Sequence, residues 1–217
     1  MVVAFLIFAP WILIAIAIIM IFGNGVILLT VAKNASLRQN DCLYLISGLA
    51  VSDFITGIGT LPYCANMIAN EYVNCTRGSI LGTMVLNITG VRMNQFITLV
   101  IGIDRLYAML HPISYRTKNH TKIALFVTVA GLLIGSIDSA MYLLELTLSD
   151  VMPTCNLLIA IGPKSRVYRF TTDLILNVST QIIYAFVFYK IHKLENEQTN
   201  DVSRNNFRQV DGFAFIN

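Results

Sequence analysis

Charge is what this sequence has least of. Only 12% of its 217 residues are Asp, Glu, Lys or Arg, and 56% are apolar; a soluble domain carries about 25% charged residues. With a mean hydropathy of +0.69, an ordinary water-soluble fold is excluded and the bilayer becomes the expected solvent. The net charge of +3 is too small to mark a nucleic-acid surface. Four cysteines exclude a disulfide-rich miniprotein and leave room for one or two bridges. The histidines His111, His120 and His192 fall at loops or helix ends on one side, too scattered for a metal site, and are read as solvated. Neither a Gly-rich phosphate loop nor a Ser-x-x-Lys nucleophile occurs, so an enzyme is not expected.

Long apolar runs are abundant instead. Val2 to Val31 contains no charge, and a run of about 30 residues is too long for a signal peptide, whose apolar region spans about 7–15 behind a basic segment. At about 20 apolar residues per transmembrane helix, the pattern gives five spans: Ala4–Val31, Cys42–Ile68, Ser79–Leu110, Ile123–Leu146 and Val167–Lys193. A mixed segment, Thr147–Arg166, joins the last two. The expected fold is therefore all-α, a polytopic transmembrane helix bundle over residues 1–193, with residues 194–217 as a polar cytoplasmic tail. Lys33, Arg38, Arg116, Lys118, Lys122, Lys190 and Lys193 lie on one side; Arg77, Lys164, Arg166 and Arg169 lie on the other. The richer side is expected to be cytoplasmic, with the N-terminus outside. No internal repeat is visible, which weakens a transporter built from duplicated halves.

Polar residues inside the spans are the functional candidates, because an ionisable group in hydrocarbon is costly. In the second span Asp53 shares a face with Thr56, Gly57, Thr60 and Cys64. It is either functional or a protonated carboxyl bonded to a neighbouring helix. In the third span Asn87, Asn94, Thr98 and Arg105 fall within about 20° of one line on a helix. That stripe either faces a site or packs against another helix. Arg92 lies about 140° from it and needs its own partner. Asp138 of the fourth span or Asp173 of the fifth is expected to neutralise it; the alternative is that Arg92 snorkels outward and both acids stay protonated.

At the foot of the third span stands Asp104-Arg105-Leu106-Tyr107, followed by Pro112 and Tyr115. With Gly23-Asn24 in the first span, Leu49-Ala50-Val51-Ser52-Asp53 and Pro62 in the second, and Tyr184-Ala185-Phe186-Val187 in the fifth, the chain over about residues 10–193 resembles the rhodopsin-like G-protein-coupled receptors. In detail it is most similar to the nematode serpentine chemoreceptors of the srsx-like class. It departs from them in lacking a Tyr directly after Asp104-Arg105, a Trp in the fourth span and a Pro near Leu176. It carries about five of the seven helices of such a receptor, ending after the fifth.

The resemblance implies a receptor that passes an extracellular signal, from a small molecule or peptide, to a heterotrimeric G protein. It implies ligand contacts at Asn87 and, between the third, fourth and fifth helices, at Val91, Arg92, Asp138 and Asp173. Asp53, Asn94 and Asn24 would form the polar cluster that in relatives holds a sodium ion, a hard cation needing oxygen ligands; no other cofactor is implied. Asp104 would pair with Arg105 at rest, and Asp104, Arg105, Pro112, Tyr115 and Tyr184 would serve G-protein coupling. Cys75 and Cys155 are both expected outside, with Cys42 inside and Cys64 in or near the outer end of the second span, so a Cys75–Cys155 bridge is expected. Asn74-Cys75-Thr76 is an acceptor sequon on that side, whereas sequons at Asn34, Asn87, Asn119 and Asn177 should be silent. A multi-pass plasma-membrane protein follows, or one retained in the endoplasmic reticulum for want of two helices. The competing reading is a non-signalling truncated receptor that pairs with full-length receptor chains.

Overall fold

The computed structural model describes the backbone of residues 2–34, 37, 41–144 and 147–214, and the side chains of 8–34, 37, 43–115, 117–144 and 147–193. Five long helices carry the fold: α1 (Val2–Lys33), α2 (Asp41–Ala69), α3 (Arg77–Leu110), α4 (His120–Leu144) and α5 (Pro163–Ala214). Each is long and apolar enough to cross a membrane. Hydrocarbon offers no partner to a free peptide group, so such runs can span only with every backbone bond closed internally, as a helix does. Two short helices, Pro112–Arg116 and Leu157–Ala160, lie in the connections. The chain is a multi-pass membrane protein with an all-α fold.

The helix limits follow local chemistry. Thr76 caps α3 by accepting the Ser79 N–H, and Pro112, which has no N–H to lose, opens the short helix beyond His111. Pro163 opens α5 in the same way. The sequence pattern ends the fifth span at Lys193, but the helical backbone continues to Ala214. The apolar signal stops where the membrane contact stops; a helix of polar residues carries no such signal. The expected end of the fourth span, Leu146, lies outside the described residues.

α3 is the hub. It packs on α2, α4 and α5, while α1 lies on α2 and α2 also meets α4. Close approach is made possible by glycine: a Cβ on Gly90 would run into Thr56 and Ser52 of α2, and one on Gly135 of α4 into the backbone of Thr89. Small residues at such crossings replace the hydrophobic drive that lipid cannot supply. One apolar cluster (Leu45, Met93, Ile97, Ile101, Ala124, Val127) fills the junction of α2, α3 and α4.

A second cluster lies at the other end, beneath the α4–α5 connection. That connection is sewn to the start of α3: the Cys75–Cys155 disulfide is formed, Met152 N–H donates to the Cys75 carbonyl at 2.8 Å, and Gly78 N–H to the Leu148 carbonyl at 2.8 Å. Arg77 pairs with Asp150 at 2.6 Å, and the Tyr63 hydroxyl donates to the Cys155 carbonyl at 3.0 Å. Cys64 is a free buried thiol; the Cys42 side chain is outside the described set.

Candidate functional site

Arg92 is 5% exposed in the middle of α3, and two acids from two other helices meet it. Its Nε donates to Asp138 Oδ2 of α4 at 2.9 Å. Nη1 donates to Asp173 Oδ1 of α5 at 3.0 Å and to Gln95 Oε1 at 2.9 Å; Nη2 donates to Thr172 Oγ1 at 3.0 Å. The sequence offered Asp138 or Asp173 as alternatives, and the guanidinium binds both, so the outward-snorkelling reading of Arg92 is set aside. A planar fork with five N–H groups can bridge three helices in this way where an ammonium could not. Gln95 Nε2 also donates to Asp173 Oδ1, at 3.0 Å.

Arg169, one turn before Asp173, brings a second cation to 3.8 Å from its Oδ2. Two acids and two bases thus balance. A cavity of about 10 Å³ lies among Ile88, Val91, Arg92, Asp138, Tyr142, Arg169 and Asp173. Asp138 Oδ1, an acceptor, and Arg169 Nη1, a donor, are both buried without a protein partner among the described residues. Arg92 and Asp138 are almost fully enclosed, whereas the Asp173 side chain is 32% exposed. The enclosed pair therefore positions the cluster, and Asp173 with Arg169 presents it. Gln95, Thr172 and Arg169 were not singled out from the sequence, because a Gln, a Thr or an Arg near a helix start is unremarkable until a charge is placed beside it.

The polar stripe of α3 faces α2. Asn87 donates to Thr60 Oγ1 at 2.8 Å, and Asn94 donates to Asp53 Oδ1. Thr98 donates back to the Asn94 carbonyl at 2.8 Å. Asn87 is thereby committed to a helix contact rather than to the Arg92 cluster, and the packing alternative holds for this part of the stripe. Asn24 turns its amide onto the Met20 carbonyl of its own helix at 2.9 Å and does not join Asp53. What converges on Asp53 among the described residues is one carboxylate and one amide donor. That set does not by itself fit a hard cation, which needs several oxygens.

At the foot of α3, Asp104 Oδ2 accepts from the Tyr115 hydroxyl at 2.9 Å. Arg105, next to it, is engaged as well. The Tyr115 ring lies 4.2 Å from that of His120, whose Nε2 sits 2.9 Å from the Tyr115 carbonyl oxygen. His120 is 5% exposed, correcting the solvated reading: a residue at a helix start was taken for a loop residue, but the short helix folds over it. Tyr107 stacks on His111 at 5.2 Å, and Lys118 Nζ stands 3.8 Å above its ring. Pro112 is exposed, and Tyr184 of α5 packs half-buried over Gly102. Asn74, of the sequon, is exposed at φ 57° in the turn before Cys75.

Five apolar helices with α3 as their hub, an acid within α2, an Asp-Arg foot on α3 and a disulfide from the start of α3 to the α4–α5 connection define a serpentine membrane receptor architecture. The sequence model for the serpentine type 7TM GPCR chemoreceptor Srsx matches residues 17–215. The chain belongs to that chemoreceptor family. It is also similar to class A receptors: 31% identical to human prokineticin receptor 1 over 63% of this chain and 35% of the relative, and 26% identical to bovine somatostatin receptor type 5 over 62% and 36%. Mouse melatonin receptor type 1A is 27% identical over 48% and 33%. The chain thus spans about a third of the length of the curated relatives it matches.

Proposed function

We propose that the chain is the ligand-receiving part of a chemosensory G-protein-coupled receptor and has no enzymatic role. The observation that carries this is the four-charge cluster of Arg92, Asp138, Asp173 and Arg169. A charge at mid-bilayer costs at least about 2.5–3.5 kcal/mol on insertion scales, and well-packed apolar residues would hold the helices together as well. A costly cluster with one accessible acid is better explained by recognition. Asp173 and Arg169 read a charged group on a small molecule or peptide, Val91 supplies apolar contact, and Arg92 and Asp138 hold the acid in place. Family membership supports the same direction of signalling: ligand outside, heterotrimeric G protein inside at Asp104, Arg105, Pro112, Tyr115 and Tyr184.

The mechanism is population shift between two packings of α5 against α3, since ligand bound to Asp173 competes with Arg92 for the same carboxylate. The test is nucleotide exchange on a heterotrimeric G protein in membranes holding this chain with a companion polypeptide that supplies the last two spans of an Srsx relative. The membranes are challenged with charged metabolites and short peptides. At least one ligand should raise exchange, and Asp173→Asn should move its half-maximal concentration tenfold or more. No response across the panel, or a response that Asp173→Asn leaves in place, overturns the reading.

A further inference from the structure

Two side chains that line the cavity of about 10 Å³ within the Arg92 cluster each carry a buried polar atom with no hydrogen-bond partner among the described residues. One is Asp138 Oδ1 of α4, an acceptor; the other is Arg169 Nη1 of α5, a donor. The polar groups around them are already engaged. Arg92 donates from Nε, Nη1 and Nη2, and Asp173 Oδ1 accepts from Arg92 and Gln95. Tyr168 interacts with Asp138 but makes no hydrogen bond to Oδ1. Asp138 is 3% exposed, so bulk solvent does not serve its second oxygen, and a buried polar atom left unpaired carries the full cost of its lost hydration.

Chemistry and size together select the occupant. It must donate to a carboxylate and accept from a guanidinium. A metal cation or an ammonium has no lone pair to offer Arg169, and a halide has no proton to offer Asp138. The two acids and two bases of the cluster already balance, so a neutral molecule fits the charge. A volume of about 10–15 Å³ is that of one water-sized sphere, too small for a carboxylate, an amide or a phosphate. We propose that one water molecule is bound in this cavity, donating to Asp138 Oδ1 and accepting from Arg169 Nη1. Two polar partners meet the requirement for a buried water, and both bonds are assisted by the charge of the protein group. Since α5 packs principally on α3, the water gives α4 and α5 a polar joint that apolar packing does not supply. The site stands whether or not Asp173 receives a ligand.

The test is hydroxyl-radical footprinting by X-ray pulses on the full chain in phosphatidylcholine nanodiscs, with no ligand or G protein added. Radicals formed from a bound water oxidise the side chains beside it, while side chains in dry packing are spared. Tyr142, which lines the cavity, is 2% exposed, and Tyr63, whose hydroxyl is bonded to the Cys155 carbonyl, is 9% exposed. Exposure alone ranks Tyr63 as the faster to react. The bound water reverses that order, and Tyr142 should be oxidised at least fivefold faster than Tyr63. Val91→Ile places one more methylene in the cavity and leaves every charge in place; it should bring Tyr142 down to the rate of Tyr63. The double variant Arg92→Met, Asp138→Leu, which removes the acceptor without stranding a charge, should do the same. Tyr168→Phe should leave Tyr142 fast. A parent in which Tyr142 reacts no faster than Tyr63 has a dry cavity and overturns the proposal. Fast oxidation that persists in Val91→Ile or in the double variant shows bulk solvent at Tyr142 and overturns it equally. Loss of fast oxidation in Tyr168→Phe assigns the occupant to the tyrosine rather than to Arg169, and also overturns it.

Discussion

Replacing Arg92 by Met leaves Asp138 and Asp173 in place and removes the cation between them. Asp138 is 3% exposed and keeps the Tyr142 hydroxyl, a long donor at 3.5 Å. Asp173 keeps Gln95 and Arg169 and is 32% exposed. Removing one partner of a buried pair costs about 3–5 kcal/mol, which for a domain of this size is about 6–20 °C in Tm. Asp138→Asn should fall in the same range, and Asp173→Asn well below it. The assay is thermal exposure of Cys64, which is 0% exposed, to a thiol-reactive dye in a Cys42→Ser background. The double variant Arg92→Met, Asp138→Leu should recover most of the loss, because Asp173 and Arg169 then balance each other. A shift below about 3 °C for Arg92→Met, or a double variant no better than the single, would refute the pairing account.

Cys75→Ser should lower stability by about 4.5 kcal/mol on the chain-entropy estimate for a loop closed across a separation of 80 residues; peptide mapping without reductant should find Cys75 and Cys155 joined in the parent. Asn74 should carry glycan in a eukaryotic host, seen as a mobility shift on glycosidase treatment that Asn74→Gln abolishes. Gly135→Val should force α4 away from the Thr89 backbone and cost at least about 1–3 kcal/mol, whereas Gly82→Ala, with nothing within 4 Å of its Cβ, should be tolerated in the same thermal assay.

The spans and the Arg92–acid pairing were legible because hydrocarbon makes charge conspicuous: three ionisable residues in apolar runs have few places to go but each other. The partner choice between Asp138 and Asp173 was not legible, since it depends on a fork that reaches both. Neutral polar residues gave weaker signals. Asn87 and Asn94 share a face with Thr98, but periodicity says only that they look the same way, and which helix lies opposite is settled by the close contacts of Gly59 of α2 with α3 and of Gly90 of α3 with α2. His120 was misread because burial under a five-residue helix leaves no apolar period to see.

The length of α5 has a mechanical consequence. Its principal packing partner is α3, and Asp173, ten residues in, is its charged attachment there. That divides the helix into arms of about 15 Å and about 61 Å at 1.5 Å per residue. Turned as a rigid rod about Asp173, with Ile183 and Tyr184 sliding over Gly102, the helix is a lever with a ratio of about four, so a 1 Å displacement at Pro163, where the disulfide-bound connection enters, becomes about 4 Å at Ala214.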